Sequence, residues 1–326
     1  MFLTAPIVGL AITFLSLGIF LRWPGLLPIR DVPNDRSLHS KAVPRIGGIA
    51  LTIGMALGSL FLPEKPSLLA ILPVGILVAI SLVDDIRGVA ANWRLLTQLC
   101  ATAIFVWSQL QLAAWVAVPI VIAIIWMTNL YNFMDGSDGL AGGMAVVGFS
   151  IYGVAALIGG NSNLAILSFS IVGSALAFLL YNFYPAKVFL GDVGSILLGF
   201  AAGSIGLLGW ARGVWPSWFP FLVFSPFIVD ATLTLLKRLF RRERVWEGHR
   251  EHYYQRMVRM GWGHSKTALV EYGLMVCVGS SAFIALRWSP SLQVVLLVGW
   301  AFVYLGIAFS LDRAWQRYQA IQTNAD

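Results

Sequence analysis

Apolar runs of about 17–25 residues recur along this chain, each long enough to cross the hydrocarbon core of a bilayer as a helix. Eleven can be marked, near residues 2–22, 47–62, 67–83, 95–112, 115–131, 142–159, 164–184, 194–211, 217–238, 268–286 and 292–311, with ten as the alternative count. Composition agrees: 58% of the 326 residues are hydrophobic and 11% charged, where a soluble domain carries roughly a quarter charged residues. The expected fold is an all-α polytopic membrane protein, a single domain over 1–326. The first run lacks a basic leader and a small-residue cleavage site, so it reads as a retained helix. Cys100 and Cys277 both fall inside spans, and two isolated intramembrane thiols point to neither a disulfide nor zinc.

Eleven spans sort the connections into two sets, one holding 19 of the 22 basic residues and the other only Lys65, Arg212 and Arg287. The positive-inside rule places the first set in the cytoplasm and the amino terminus outside. The cytoplasmic set comprises loops near 23–46, 84–94, 130–141, 185–193 and 239–267, with a basic tail at 312–326. Nearly all the acidic residues follow the same partition, so the chemistry is expected at the cytoplasmic face. Topology and anionic lipid headgroups account for the net charge of +7, and no nucleic-acid partner is required.

Five polar constellations lie in these loops. The stretch from Asp31 to Gly48 carries Arg36, His39, Lys41 and Arg45, cations suited to phosphate oxygens, before a Gly pair that permits close backbone or phosphate approach. Asp84 and Asp85 end the third span; adjacent carboxylates either bind a cation or keep one raised pKa. After the fifth span come Asn129, Asn132, Asp135 and Asp138 at spacing three, sharing roughly one face if the helix persists. Polar clusters so near a bilayer usually mark substrate or ion sites. The fourth stretch runs from Asn182 through Phe189 to Asp192, Gly194 and Ser195: a carboxylate for Mg²⁺ or for capping the eighth helix, exposed N–H groups for phosphate, and a ring for stacking a base. The fifth, Lys237 to Lys266, holds His249, Arg250 and His252; a His-x-x-His without a third ligand is weak for zinc and also suits a pyrophosphate. Asp230 stands apart inside a span, and its role is open.

These motifs in this order resemble the polyprenyl-phosphate N-acetylhexosamine-1-phosphate transferases (glycosyltransferase family 4), a group that includes phospho-MurNAc-pentapeptide transferase. The likeness runs from about Asp31 to Lys266. The stretch His-Arg-Glu-His-Tyr-Tyr-Gln-Arg and the following Gly-Trp-Gly-His264 are most similar to the O-antigen-initiating branch, and the His-His-His signature of the MurNAc-pentapeptide branch is absent. The resemblance implies transfer of a sugar 1-phosphate from a UDP-N-acetylhexosamine to undecaprenyl phosphate in a bacterial inner membrane, with release of UMP. It tilts the sugar slightly towards a 6-deoxy form and leaves direct attack or an aspartyl intermediate open. It implies Mg²⁺, with Mn²⁺ as an alternative ion, held by Asp192 with help from Asp85. Asp84 and Asp85 would position or deprotonate the lipid phosphate. Asn132, Asp135, Asp138, Asn182 and Phe189 would contact the nucleotide; His39, Lys41 and Arg45 would hold phosphates; His249, Arg250 and His252 would meet the pyrophosphate and sugar. A homodimer is one option for the oligomeric state. The competing class is a secondary transporter of an anionic solute, although transporters usually place polar groups near the midplane. A CDP-alcohol phosphotransferase is disfavoured, because Asp138-Gly-Leu-Ala141 is followed by Gly142 rather than Arg.

Overall fold

The computed structural model describes residues 2–33, 38, 41–110, 112–245 and 248–323. Among them the regular structure is helical but for one ribbon of two-residue strands, β1 (Arg30–Asp31) paired antiparallel with β2 (Val43–Pro44). The helices are α1 (Thr4–Arg22), α2 (Gly47–Gly58), α3 (Leu68–Arg87), α4 (Ala91–Gln109), α5 (Ala114–Phe133), α6 (Leu140–Ile158) and α7 (Ser162–Asn182). They are followed by α8 (Gly191–Ala211), α9 (Trp218–Val223), α10 (Ser225–Phe240), α11 (Tyr253–Met257), α12 (Gly263–Ala285) and α13 (Pro290–Thr323).

Each expected span has a helical counterpart. Among the described residues eight helical segments are long and apolar enough to cross a membrane: α1, α3, α5, α6, α7, α8, the stretch from α11 through α12, and α13. The other three are α2 extended by a 3-10 turn at Ser59–Phe61, the more polar α4, and the pair α9–α10, broken at Phe224. The chain is an all-α polytopic membrane protein.

The most enclosed of the spanning segments is α8, and α13 is the least. The reason is in the sequence of α8, where Gly194, Ser195, Gly199, Ala201, Ala202 and Gly203 let neighbouring backbones come close, the usual basis of helix association in lipid. It packs against α2, α3, α5 and α6. Beside it lies a buried aromatic cluster of Tyr131, Phe149, Tyr152, Phe224 and Phe227. At the end of α8 that carries the candidate site, the backbone of α2 is laced to the α7–α8 connection. Gly47 N–H donates to Phe189 O (2.9 Å), Gly48 N–H to Leu190 O (2.7 Å), and Phe189 N–H to Pro44 O (2.8 Å). The Gly pair thus serves backbone contact rather than a phosphate. A Cβ on Gly48 would lie 2.2 Å from the backbone nitrogen of Gly194, where no rotamer can relieve the clash. Gly48→Ala is expected to lower the thermal midpoint of the detergent-extracted protein, by an overpacking cost of about 1–3 kcal/mol; an unchanged midpoint would contradict this contact.

Candidate active site

The end of α3 and the start of α8 build the centre of the site. Asp85 is almost fully enclosed, its side chain 1% exposed. Its Oδ1 accepts the N–H of Asp192 (3.1 Å) and its Oδ2 the N–H of Val193 (3.2 Å). The orphan N–H groups that open a helix need such a partner, and here the cap comes from another helix. Asp192, foreseen as a possible N-cap, lies one residue inside α8 and is thereby free to face the site. Gly191 enters this turn with φ +72°, the left-handed region where a side chain is strained. A Cβ there would also stand 2.9 Å from Asp85 Oδ2.

Around Asp192 the polar groups converge. Asn132 Nδ2 donates to Asp192 Oδ1 (3.0 Å) and to Ser195 Oγ (2.9 Å). Arg94 Nη1 reaches Asp84 Oδ2 at 2.6 Å and Asp192 Oδ2 at 3.2 Å. Asp84 Oδ1 also accepts the N–H of Val89 (2.6 Å). One guanidinium therefore ties together two carboxylates that would otherwise repel. On the other side Arg45 Nη2 pairs with Asp31 (2.7 Å), and its Nη1 lies 3.8 Å from Asp85.

A cavity of about 250 Å³ opens beside this cluster, and Asp31, Arg45, Asn132, Asp135, Asp138 and Asp192 contribute to its walls. Asn182, Phe189, Gln255 and His264 also line it. Asp135 lies in the loop after α5, and its carboxyl is held well above the usual range, first by burial and then by the charges of Asp192 and Asp85. A carboxyl so tuned can exchange a proton with a bound ligand. Asp138 accepts the N–H of Ala186 (3.0 Å), and its own N–H donates to His264 Nδ1 (3.3 Å). The same Nδ1 also meets the Ser137 hydroxyl (2.9 Å), and the ring stacks on Tyr184 with centroids 5.5 Å apart. Asn182 is buried and bridges two loops, accepting Gly139 N–H (2.9 Å) and donating to Val188 O (2.9 Å). Phe189 is half-buried, with its backbone committed to the α2 lacing.

The remaining residues singled out in the sequence lie elsewhere. Helix α5 ends at Phe133, so the spacing of three does not continue as one helical face: Asn129 points to Gln98 (2.6 Å), while Asp135 and Asp138 belong to the loop. Lys41 is exposed and is not among the cavity residues. His39 and Arg36 fall outside the described residues. His249, Arg250 and His252 are likewise not in the cavity wall. His252 is buried, with Nδ1 3.3 Å from Asp230 Oδ1. His249 packs on it at 4.7 Å between centroids and is pushed down to about 3 by burial and by His252, so at neutral pH it carries no charge for a pyrophosphate. The Arg250 carbonyl accepts from Arg259 (3.2 Å). Asp230 gains a role: its two oxygens accept the N–H groups of Tyr253 (2.9 Å) and Tyr254 (3.0 Å) and so cap α11.

Arg94, Gln255 and His264 are among the site residues that the sequence reading does not mark. By sequence Arg94 counts only as loop charge, yet an Arg in the first turn of a helix that enters the bilayer, ten residues after Asp84, is a signal of its own. Gln255 and His264 lie in the stretches that carry the branch resemblance, but their residue type and spacing do not mark them for the cavity.

With this geometry in place, comparison with known proteins is specific. Residues 67–209, which run from the start of α3 to the end of α8 and include Asp84, Arg94, Asn132 and Asp192, match the family described as "Glycosyl transferase family 4". The Bacillus subtilis (strain 168) protein named "Probable undecaprenyl-phosphate N-acetylglucosaminyl 1-phosphate transferase" is 31% identical over 261 residues, covering 74% of this chain and 73% of that protein. A decaprenyl-phosphate N-acetylglucosaminephosphotransferase of Mycolicibacterium smegmatis is 28% identical over 352 residues, 91% of this chain and 86% of its own. A phospho-N-acetylmuramoyl-pentapeptide-transferase of Levilactobacillus brevis is 40% identical over 98 residues, 30% of each chain. The chain belongs to glycosyl transferase family 4, a family of membrane transferases, and the carboxylate–guanidinium cluster lies in the part that defines it.

Proposed function

We propose that this protein transfers N-acetylhexosamine 1-phosphate from a UDP-sugar to a polyprenyl phosphate, at the cytoplasmic face of a bacterial inner membrane. The observation that carries this reading is the cluster of Asp84, Arg94, Asn132 and Asp192, the last two of which line a polar cavity, on helix ends that leave the lipid. An oxygen of the acceptor phosphate bonds to the sugar-proximal phosphorus, the bond from that phosphorus to the bridging oxygen breaks, and UMP leaves with the electron pair. The product is a lipid diphosphate sugar. Arg94 and Arg45 neutralise charge on the phosphates, the main requirement of such a transfer. Asp135 and Asp138 face the nucleotide, and Phe189 offers its ring to the base.

A divalent metal suits these donors. Among the described residues no group of three or more His, Cys, Asp or Glu is arranged to hold an ion alone. Mg²⁺, however, commonly takes one or two carboxylates and completes its shell with substrate phosphates and water. Asp192, with Asp84 beside it, would hold the ion, and Mn²⁺ satisfies the same oxygens. When bound, the ion supplies charge neutralisation to the transferring phosphoryl group. Asp85, with both oxygens on backbone N–H groups, supports Asp192 from below.

The names of the Bacillus and Mycolicibacterium relatives favour N-acetylglucosamine as the sugar, ahead of a deoxy sugar. The test is UMP release by purified protein with undecaprenyl phosphate and a panel of UDP-N-acetylhexosamines, with Mg²⁺ or with EDTA. Release that needs both lipid and metal is expected; release from no donor by folded protein overturns the reading. Phe189→Ala is expected to raise KM for the UDP-sugar about tenfold, the loss of one base–aromatic contact worth about 1–3 kcal/mol, with the lipid KM unchanged. An unchanged nucleotide dependence would count against stacking.

A further inference from the structure

Helix α11 supplies Gln255 to the cavity wall, and a π-helical turn at Val258–Trp262, kinked at Gly261 (φ +93°), separates it from α12. Its inner face meets the loop that bears Asp135 and Asp138. Tyr254 is fully buried, and its hydroxyl donates to the carbonyl of Phe133 (3.0 Å). The same hydroxyl stands 2.3 Å from where a Cβ on Gly136 would lie. Asp230 caps the amino end of α11. The outer face is held by a different element, far along the sequence.

At about 1.5 Å per residue the 34 residues of α13 span about 50 Å, well beyond a hydrocarbon core of about 30 Å. The excess projects along α10 and α11. There Asp312 takes Lys237 from α10 on Oδ2, accepts the Tyr253 hydroxyl on the same oxygen (3.4 Å), and accepts Arg256 Nη1 on Oδ1 (3.0 Å). Lys237 also donates to the Tyr253 hydroxyl (2.5 Å). One turn on, the Trp315 ring lies under Arg259 at 4.8 Å and near Arg256 at 5.9 Å. A single carboxylate thus gathers three donors from two elements, and two of the three belong to α11.

We infer that the projecting end of α13 is a strap, and that Asp312 is a positioning residue: by fixing α11 it sets Tyr254 and Gln255 against the Asp135–Asp138 loop and so sets affinity for the nucleotide-sugar. This rests on the function proposed above. Asp312 touches no residue of the cavity wall itself; its effect passes through α11. Its side chain is 29% exposed, so solvent screens part of each ion pair, and its loss loosens one segment rather than the whole bundle.

The full chain in lipid nanodiscs tests this with Asp312→Ala, Asp312→Asn and Asp312→Glu. Asp312→Ala is expected to weaken equilibrium binding of UMP and to raise the UDP-sugar KM, each about tenfold, as small misplacement of a binding group does. The KM for polyprenyl phosphate and the thermal midpoint stay near wild type. Asp312→Asn falls between, and Asp312→Glu restores most of the affinity. Amide exchange at Tyr254 and Gln255 rises in Asp312→Ala and returns in Asp312→Glu. Unchanged exchange at these amides, or unchanged UMP affinity with exchange raised, overturns the strap. So does a fall in midpoint with equal loss for both substrates and no rescue by Glu, which marks a purely structural contact. Wild-type protein that binds no uridine nucleotide overturns the proposed function instead, and the exchange data still decide whether Asp312 holds α11.

Discussion

Asp192→Asn is expected to reduce turnover by about 10³-fold or more, the scale on which removing one electrostatic group from a phosphoryl- or acyl-transfer site acts. The substitution keeps size and shape. Asn132 Nδ2 donates to one oxygen of Asp192 and the Arg94 guanidinium to the other; Asn keeps an acceptor for one of them, and at a side chain 25% exposed water can serve the other. What disappears is the negative charge, and with it the affinity for a divalent ion and the counter-charge for Arg94. The measurement is UMP release at saturating donor and acceptor, alongside extraction yield and elution profile to show that the protein is folded. Retention of a tenth of wild-type turnover would sink the assignment of Asp192 to the reacting centre.

Asp85→Ala is expected to have the second largest effect, and of another kind. Removing this carboxyl leaves the N–H groups of Asp192 and Val193 without partners in an enclosed position, at about 1–3 kcal/mol for each buried unsatisfied group. It also takes from Arg45 one of its two acidic neighbours. The start of α8 would shift, and Asp192 with it. Both thermal midpoint and turnover should therefore fall, whereas Asp192→Asn lowers turnover alone. Asp85→Asn is the sharper variant: its amide carbonyl can satisfy one of the two N–H groups, so it should recover part of the midpoint and little of the turnover. A normal midpoint in Asp85→Ala would show that Asp85 acts on substrate directly and not through the helix start.

These two residues also show how far the sequence could be read. The adjacent pair Asp84-Asp85 at a helix end was visible, and so was Asp192 among glycines before the next apolar run. The pair reads as a cation or proton site, and Asp192 as a metal ligand or a helix cap. Their spacing could not show that Asp85 turns inward to cap α8 while Asp84 turns toward Arg94. That division depends on which face of α3 meets α8, a packing fact that appears only when helices distant in sequence are brought together. The same holds at the fifth constellation. His249 and His252 have the residue types of a phosphate-binding pair, but the fold buries His252 beside Asp230 and half-buries His249 against it, where burial and His252 leave His249 neutral.

The sequence alone determined that the chain is an all-α membrane protein, because a run of apolar residues long enough to span lipid has few other fates. It also determined the family, because long motifs in fixed order identify a chemistry through residue type and spacing, quantities that folding does not change. Tertiary structure decided which polar groups face the cavity and which support it. Arg94 became the bridge between Asp84 and Asp192, Asp230 became the cap of α11, and Asp312 became its outer anchor. Each of these roles comes from a partner at least ten residues away. A side chain's orientation is set by the helix packed against it, and sequence spacing carries no record of that neighbour.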